Sequence, residues 1–397
     1  MRGLLLFGDT VRSGALRHEI PVAIIGSLLF AEIDGRRVVL TSWLERDRVT
    51  RALPGAEVLD FFDFGWKELV AGGMAFAEAD RETVARVVHQ IGIDEAMVPG
   101  DFPLALGDRL RADGIVLTVD DDAVALRRRA KSAPEMNGIR AAQRAAEAAM
   151  TVARDVLARA RPTNDGDLRL DGRPLLAEDV RSTLRAACAA HGAPAPPEVI
   201  VSSLRNGSSG HDPGSGPLPS GLPIVVDIWP RDEASGCWAD MTRTFVVGRP
   251  APELAGVIAD RERLVRLALD RAIAAVRPGI TGGQLFDLVC DLFESEGHRT
   301  QRTMKGDDDE DEGFQSWLGH GVGLDIHEAP GLGPAGREWL VAGDVVAIEP
   351  GLWDSRIGEV RYEDLVVVTD TDCERLTRFP YDIGLSTPTA PEARRTS

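Results

Sequence analysis

The stretch LPIVVDIW, residues 222–229, carries an acid, Asp227, directly out of an apolar run. A buried strand should continue with apolar residues there, because a carboxylate buried without a partner is strongly destabilised or takes up a proton. DVVAIEPG, residues 344–351, presents the same problem at Glu349. Two further strand-like runs hold acids inside them: CWADMTRTFVVG, residues 237–248, with Asp240, and GEVRYEDLVVVT, residues 358–369, with Glu363. Strand alternation onto a wet surface explains one or two such acids, but less readily all four.

The acids belong to a pattern that occurs twice. Helical segments at 135–160 and 177–191 precede the pair Asp227 and Asp240, and helical segments at 252–276 and 282–297 precede Glu349 and Glu363. Within the pairs the spacings are thirteen and fourteen residues. This is the plan of an α+β domain with a pseudo-two-fold internal repeat, able to face one pair of carboxylates toward the other. Upstream, strand-like runs (21–33, 36–42, 114–119) alternate with helical ones (42–53, 81–92), the signature of a separate α/β domain. The long alanine- and arginine-rich helix starting near Pro134 marks the boundary. The expected division is therefore 1–132, 133–385 and a C-terminal tail at 386–397.

Size and composition fit this plan. A chain of 397 residues has room for two cores, and 44% hydrophobic with 27% charged residues is ordinary for a globular protein. A net charge of −18 argues against a general nucleic-acid binder and suits a site that attracts cations or amino groups. Only three of the 45 basic residues are lysine. The four cysteines are scattered, with no C-x-x-C pair, which speaks against a thiolate zinc site or a disulfide framework. MRGLLLF at the start is too short for a signal peptide, and VAIIGSLLF, residues 22–30, is too short to span a membrane and reads as a buried strand. A cytoplasmic location is the expectation, with no membrane partner. RNGSSGHDPGSGPLPSG, residues 205–221, reads as a loop carrying His211, and KGDDDEDEG, residues 305–313, as a solvated acidic loop without the ligand spacing of a calcium site.

Basic partners for the four acids are few. Arg243 and Arg361 are near in sequence and would leave about two acids unneutralised. Two divalent metals would complete the balance and would also use the histidines of HGVGLDIHEAP, residues 320–330. Four carboxylates and an imidazole suit hard or borderline ions, and paired ions can bind a shared hydroxide and polarise a carbonyl.

The ordered set Asp227, Asp240, His320, Glu349 and Glu363, the last four within the strings DMTRTF, HGVGLDIHE, AIEPGLW and RYED, resembles the metal-binding set of the pita-bread metallopeptidases. That family includes methionine aminopeptidase, aminopeptidase P and prolidase. The resemblance covers about residues 135–370, and the upstream domain resembles the N-terminal domain of the proline-peptidase and creatinase branch. It implies that Asp227 chelates one ion, that Asp240 and Glu363 bridge two, and that His320 and Glu349 complete the ligand set of the second ion, Glu349 also managing the nucleophile's proton. His327 is implied beside the scissile carbonyl, His211 on the opposite side of the substrate, and Arg361 as orienting a ligand carboxylate. Manganese is the leading expectation for the metal, with cobalt, zinc or iron compatible. The implied reaction is hydrolysis of the bond between an N-terminal residue and a following proline, by a metal-bridged hydroxide, in a homo-oligomer (dimer or tetramer).

One departure stands out. The connection between the two aspartates is two residues longer than is usual in the family and contains Trp229 and Pro230, a length that a hairpin turn absorbs without moving its strands. Two alternatives share the fold: a creatinase-type amidinohydrolase that works without metal, and a non-catalytic protein that binds peptides or proteins. Eroded ligands would mark the latter, and all five are intact.

Overall fold

The computed structural model describes residues 2–207, 210–304, 312–381 and 384–385. The acidic run at 305–311 and the tail at 386–397 lie outside them. Two compact units emerge, Met1–Arg128 and Arg129–Ser397.

The first unit is built on a six-stranded sheet ordered Glu57–Asp60, Arg36–Thr41, Leu28–Ile33, Arg2–Gly8, Glu95–Val98 and Val116–Val119. Leu28–Ile33 runs antiparallel to both neighbours, whereas the outer strands join in parallel. Apolar residues of the helix Phe76–Ile91, including Val84 and Val88, pack on Leu5, Leu29 and Val38. Two expectations need correction. The strand expected from Val22 begins only at Leu28: Pro21 and Gly26 interrupt the run, and the Ile24 backbone pairs with Thr10 instead. Likewise the helix expected from Ser42 begins at Arg46, leaving Trp43 and Leu44 exposed before it.

The second unit has the repeated plan. Helices Ala133–Arg159 and Ala177–Ala190 lead into the strands Ile200–Ser202, Pro223–Ile228 and Met241–Val247. Helices Pro252–Ala275 and Gly282–Ser295 lead into a sheet ordered Glu328–Leu332, Gly319–Gly321, Val345–Ile348, Asp364–Val368 and Cys373–Arg375, plus a hairpin of Gly351–Asp354 with Gly358–Arg361. Start signals are local. Ser132 and Thr281 each accept from the third residue of their helices, Glu135 and Gln284, whose side chains return the bond to the cap backbone. These contacts satisfy amides that the first helical turn leaves unpaired. This is the pita-bread architecture.

The long connection between Asp227 and Asp240 closes as a hairpin. Ile228 pairs with Met241 in the ladder, and Arg231 bridges Trp238. Asp232 accepts from the Ser235 amide and hydroxyl to shape the turn. The strand register survives, with Asp227 opposite Thr242.

What joins the halves is Arg243, 1% exposed on Met241–Val247. Its guanidinium donates to the Glu363 and Thr242 carbonyls, to the Phe379 and Pro380 carbonyls, and to Asp364 Oδ1 at 2.9 Å. Sequence proximity pointed Arg243 toward one of the four acids, but it pairs with Asp364. Strand alternation explains this: Val226 is its register partner, and Asp227 presents the other face. Arg243→Ala should lower the stability of this unit by about 3 kcal/mol or more, because it orphans a buried carboxylate and several carbonyls. Chemical denaturation of purified variant and parent checks this; a loss under about 1 kcal/mol would mean that water replaces the guanidinium.

Candidate metal centre

The four acids and His320 arrive from different strands. Asp227 is near the end of Pro223–Ile228, Asp240 immediately precedes Met241–Val247, and His320 is central in Gly319–Gly321. Glu349 follows Val345–Ile348, and Glu363 follows Gly358–Arg361. Cross-strand bonds fix the last two. The Glu349 amide donates to the Leu318 carbonyl at 2.8 Å, and the Glu363 amide to the Thr242 carbonyl at 3.1 Å.

One donor atom each from Asp240, His320 and Glu363 falls within 4.8 Å of the others. His320 Nε2 is 3.7 Å from Asp240 Oδ2 and 3.5 Å from Glu349 Oε1. Asp227 is held from the other side, its Oδ2 accepting from Arg361 Nη2 at 2.9 Å. Arg361 in turn is fixed through its backbone, which exchanges two hydrogen bonds with the Thr244 hydroxyl. Thr242 Oγ1 donates to Glu363 Oε2 at 2.9 Å.

The remaining oxygens define the electrostatic problem. Asp227 Oδ1, Asp240 Oδ1 and Glu363 Oε1 are buried with no hydrogen-bond partner among the described residues. Burial, then the neighbouring carboxylates, pushes Asp240 and Glu363 well above the carboxylate range. Glu349 rises to about 7 for the same reasons, chiefly burial, with Arg361 opposing, although 19% of its side chain reaches solvent. Burial drives His320 down to about 3, so its imidazole is neutral and its nearness to the acids is not an ion pair. A neutral imidazole beside unpartnered carboxylate oxygens is the donor set a divalent cation requires. The residues fit the group.

His327 stands edge-on to His320, ring centroids 4.2 Å apart. Burial and then the charge of His211 lower it, so it too is neutral. His211 itself is exposed, yet close enough for its charge to act on both other histidines. The segment bearing His327 is braced by Glu328, which pairs with Lys131 and accepts from the Asp325 amide. Sequence reading did not single out Thr242, Thr244 or Asp364, the residues that set the acids in place. An alternating T-x-T around Arg243 was the available signal, since hydroxyls inside a buried strand also need partners.

The model of metallopeptidase family M24 matches residues 137–370. An Xaa-Pro dipeptidase from Pyrococcus furiosus is 35% identical over 140 residues, 35% of this chain and 36% of that enzyme, so the chain aligns with about a third of that relative's length. In fold, it is similar to the prolidase from Pyrococcus horikoshii (TM-score 0.74, 20% identity, 96% of this chain and 95% of that one). It is also similar to the X-Pro aminopeptidase from Thermotoga maritima (TM-score 0.75, 19% identity, 97% of each chain). Among the described residues, no helix is long and apolar enough to cross a membrane.

The raised carboxyls give the metal-free protein a signed pH dependence. Asp240, Glu349 and Glu363 keep protons to higher pH folded than unfolded, so the folded state binds more protons between the two values. Their contribution to stability should therefore be full below the ordinary 4.5 of a glutamate and be lost as pH rises through about 7. Melting curves in chelator across that range should show the decline, and added manganese should raise the melting temperature most at the upper end. A chelated protein that becomes more stable over this interval would mean the acids are neutralised by something other than protons.

Proposed function

The chain belongs to metallopeptidase family M24, and from that premise we propose that it is a dinuclear-metal exopeptidase releasing an N-terminal residue from peptides with proline second. The observation that carries this reading is the grouping of donor atoms from Asp240, neutral His320 and Glu363 within 4.8 Å of one another, with one buried oxygen each of Asp227, Asp240 and Glu363 unpartnered among the described residues. The substrate class is supported by the relatives, one named an Xaa-Pro dipeptidase and two a prolidase and an X-Pro aminopeptidase.

Asp227, Asp240, His320, Glu349 and Glu363 would hold the ions, with manganese the preferred metal. When bound, divalent ions supply Lewis acidity toward a carbonyl and make water a competent nucleophile near neutral pH. The chain's own residues do the rest. Arg361 and Thr242 hold Asp227 and Glu363 through hydrogen bonds, so that those carboxylates present fixed oxygens. His327 donates to the substrate carbonyl oxygen as it gains negative charge, and His211 closes on the substrate from the opposite side. Glu349, the one acid of the set with appreciable exposure, takes a proton from the attacking water and passes it to the proline nitrogen. The C–N bond breaks, the acyl carbon keeps the hydroxyl, and proline leaves as a secondary amine. A bond to proline has no N–H, and nothing in this set depends on one.

The test is a panel of Ala-Pro, Ala-Pro-Ala, Met-Ala-Ser, N-acetylated Ala-Pro-Ala and creatine with manganese. Cleavage of Ala-Pro alone indicates a dipeptidase, and of Ala-Pro-Ala an aminopeptidase. Hydrolysis of only the acetylated peptide or creatine would overturn the assignment. Asp240→Ala should abolish turnover and lower metal content, whereas His327→Ala should keep metal and lose about a hundredfold or more in kcat. Metal loss in His327→Ala would show that the two histidines exchange roles.

A further inference from the structure

The hairpin of Gly351–Asp354 with Gly358–Arg361 extends the cluster's face outward. Gly351 lies opposite Arg361 and Trp353 opposite Glu359, while Leu352 and Val360, between them, are fully buried on the other face. The row running from Glu363 and Glu349 thus continues to Arg361 and Gly351, then to Glu359 and Trp353. Here the four residues of the last two ranks, with Gln315 and Ser316, line a pocket of about 230 Å³. No leucine, isoleucine or valine is among its described lining residues.

We propose that this pocket receives the side chain of the substrate's first residue and that Glu359 selects a cationic one, lysine above all. The proposal rests on the exopeptidase reading, which puts the first residue against the carboxylate cluster. Among the described lining residues Glu359 is the one carboxylate, and it accepts no hydrogen bond within normal distance from the described residues. Its Oε1 lies 3.6 Å from Arg361 Nη1, beyond a normal hydrogen bond, while Arg361 Nη2 donates to Asp227 Oδ2 at 2.9 Å. Gly351 keeps the carboxylate over the pocket, since a Cβ there would meet Glu359 Oε1 at 2.7 Å. The rank of Glu359 and Trp353 is two two-residue steps along the strand, about 13 Å, from Glu363. A first residue whose Cα sits over the Arg361 rank leaves one step of about 6.5 Å, which an extended lysine, about 6 Å from Cα to Nζ, spans to reach Glu359 with its methylenes along the Trp353 indole. A glutamate in the same place would face like charge, and a leucine would leave the carboxylate without a donor.

The comparison that decides this is Lys-Pro against norleucine-Pro, which has the same stem without the ammonium, and Glu-Pro, using the manganese-loaded enzyme. Lys-Pro should lead norleucine-Pro by about tenfold in kcat/KM, mostly through KM, as expected for a charge-assisted hydrogen bond. Glu359→Gln should bring that ratio near one, and Glu359→Lys should favour Glu-Pro. Equal use of Lys-Pro and norleucine-Pro, or a lysine preference unchanged in Glu359→Gln, would overturn the proposal while leaving the exopeptidase reading intact. If no Xaa-Pro peptide is cleaved, the exopeptidase reading fails by itself, and calorimetry still decides the pocket. Free lysine should bind the parent several-fold tighter than norleucine and lose that margin in Glu359→Gln; equal binding would remove the lysine site.

Discussion

Four carboxylates that share one arginine are the constraint on which the second unit depends. Arg361 satisfies one oxygen of Asp227, and Thr242 one oxygen of Glu363, but three buried oxygens are left without a donor among the described residues. A fold selected for stability alone would fill these positions with apolar residues, since each strand around them is otherwise buried throughout. Isolated buried charge is among the most expensive arrangements a protein interior can hold. The strands must therefore be rigid enough to keep like charges together, and something outside the chain must neutralise them.

That rigidity comes from the contacts between halves. The strand Met241–Val247 offers Thr242 and Thr244 on the face toward the cluster and Arg243 on the other. The two threonines bond to Glu363 and Arg361, and Arg243 bonds to the carbonyl of Glu363 and to Asp364 beside it. One strand of the first half thus fixes both side chain and backbone of the second half's last acid. The period of two separates these tasks without conflict, because residues that hold backbone and residues that face the cluster alternate.

Much of this was legible in the sequence. The acids in strand-like runs, the paired helices before each set and the internal repeat all follow from periodicity and from the cost of burying charge. The helices Ala177–Ala190 and Gly282–Ser295 begin at the residues expected for them, 177 and 282. Less legible were elements whose partners are distant. The strand Arg2–Gly8 is too short a run to be told from any other apolar patch until its neighbours Leu28–Ile33 and Glu95–Val98 flank it. Arg243 was misdirected toward the nearest acids because sequence distance does not report which face of a strand a residue takes. Asp364, adjacent to Glu363, carries no signal of its own in the sequence, and the ladder puts it on the opposite side, against Arg243, Arg375 and Tyr381.

The same alternation links chemistry to choice of substrate. Glu363, Arg361 and Glu359 occupy successive same-face positions, and each has a different electrostatic neighbourhood: a cluster of like charges, a guanidinium shared between two acids, and a pocket with an indole wall. Arg361 stands between the cluster and the pocket and bonds more closely to the cluster, which fixes Asp227 and leaves Glu359 only loosely paired. A change at Glu359 therefore alters the outer rank without removing Arg361's hydrogen bond to Asp227. Because Gly351 contributes no side chain, the space beside Arg361 is governed by the residues on either side of it rather than by the hairpin's own bulk. A hairpin arranged this way lets first-residue preference change at one position while the carboxylates that would hold metal stay where the strands put them.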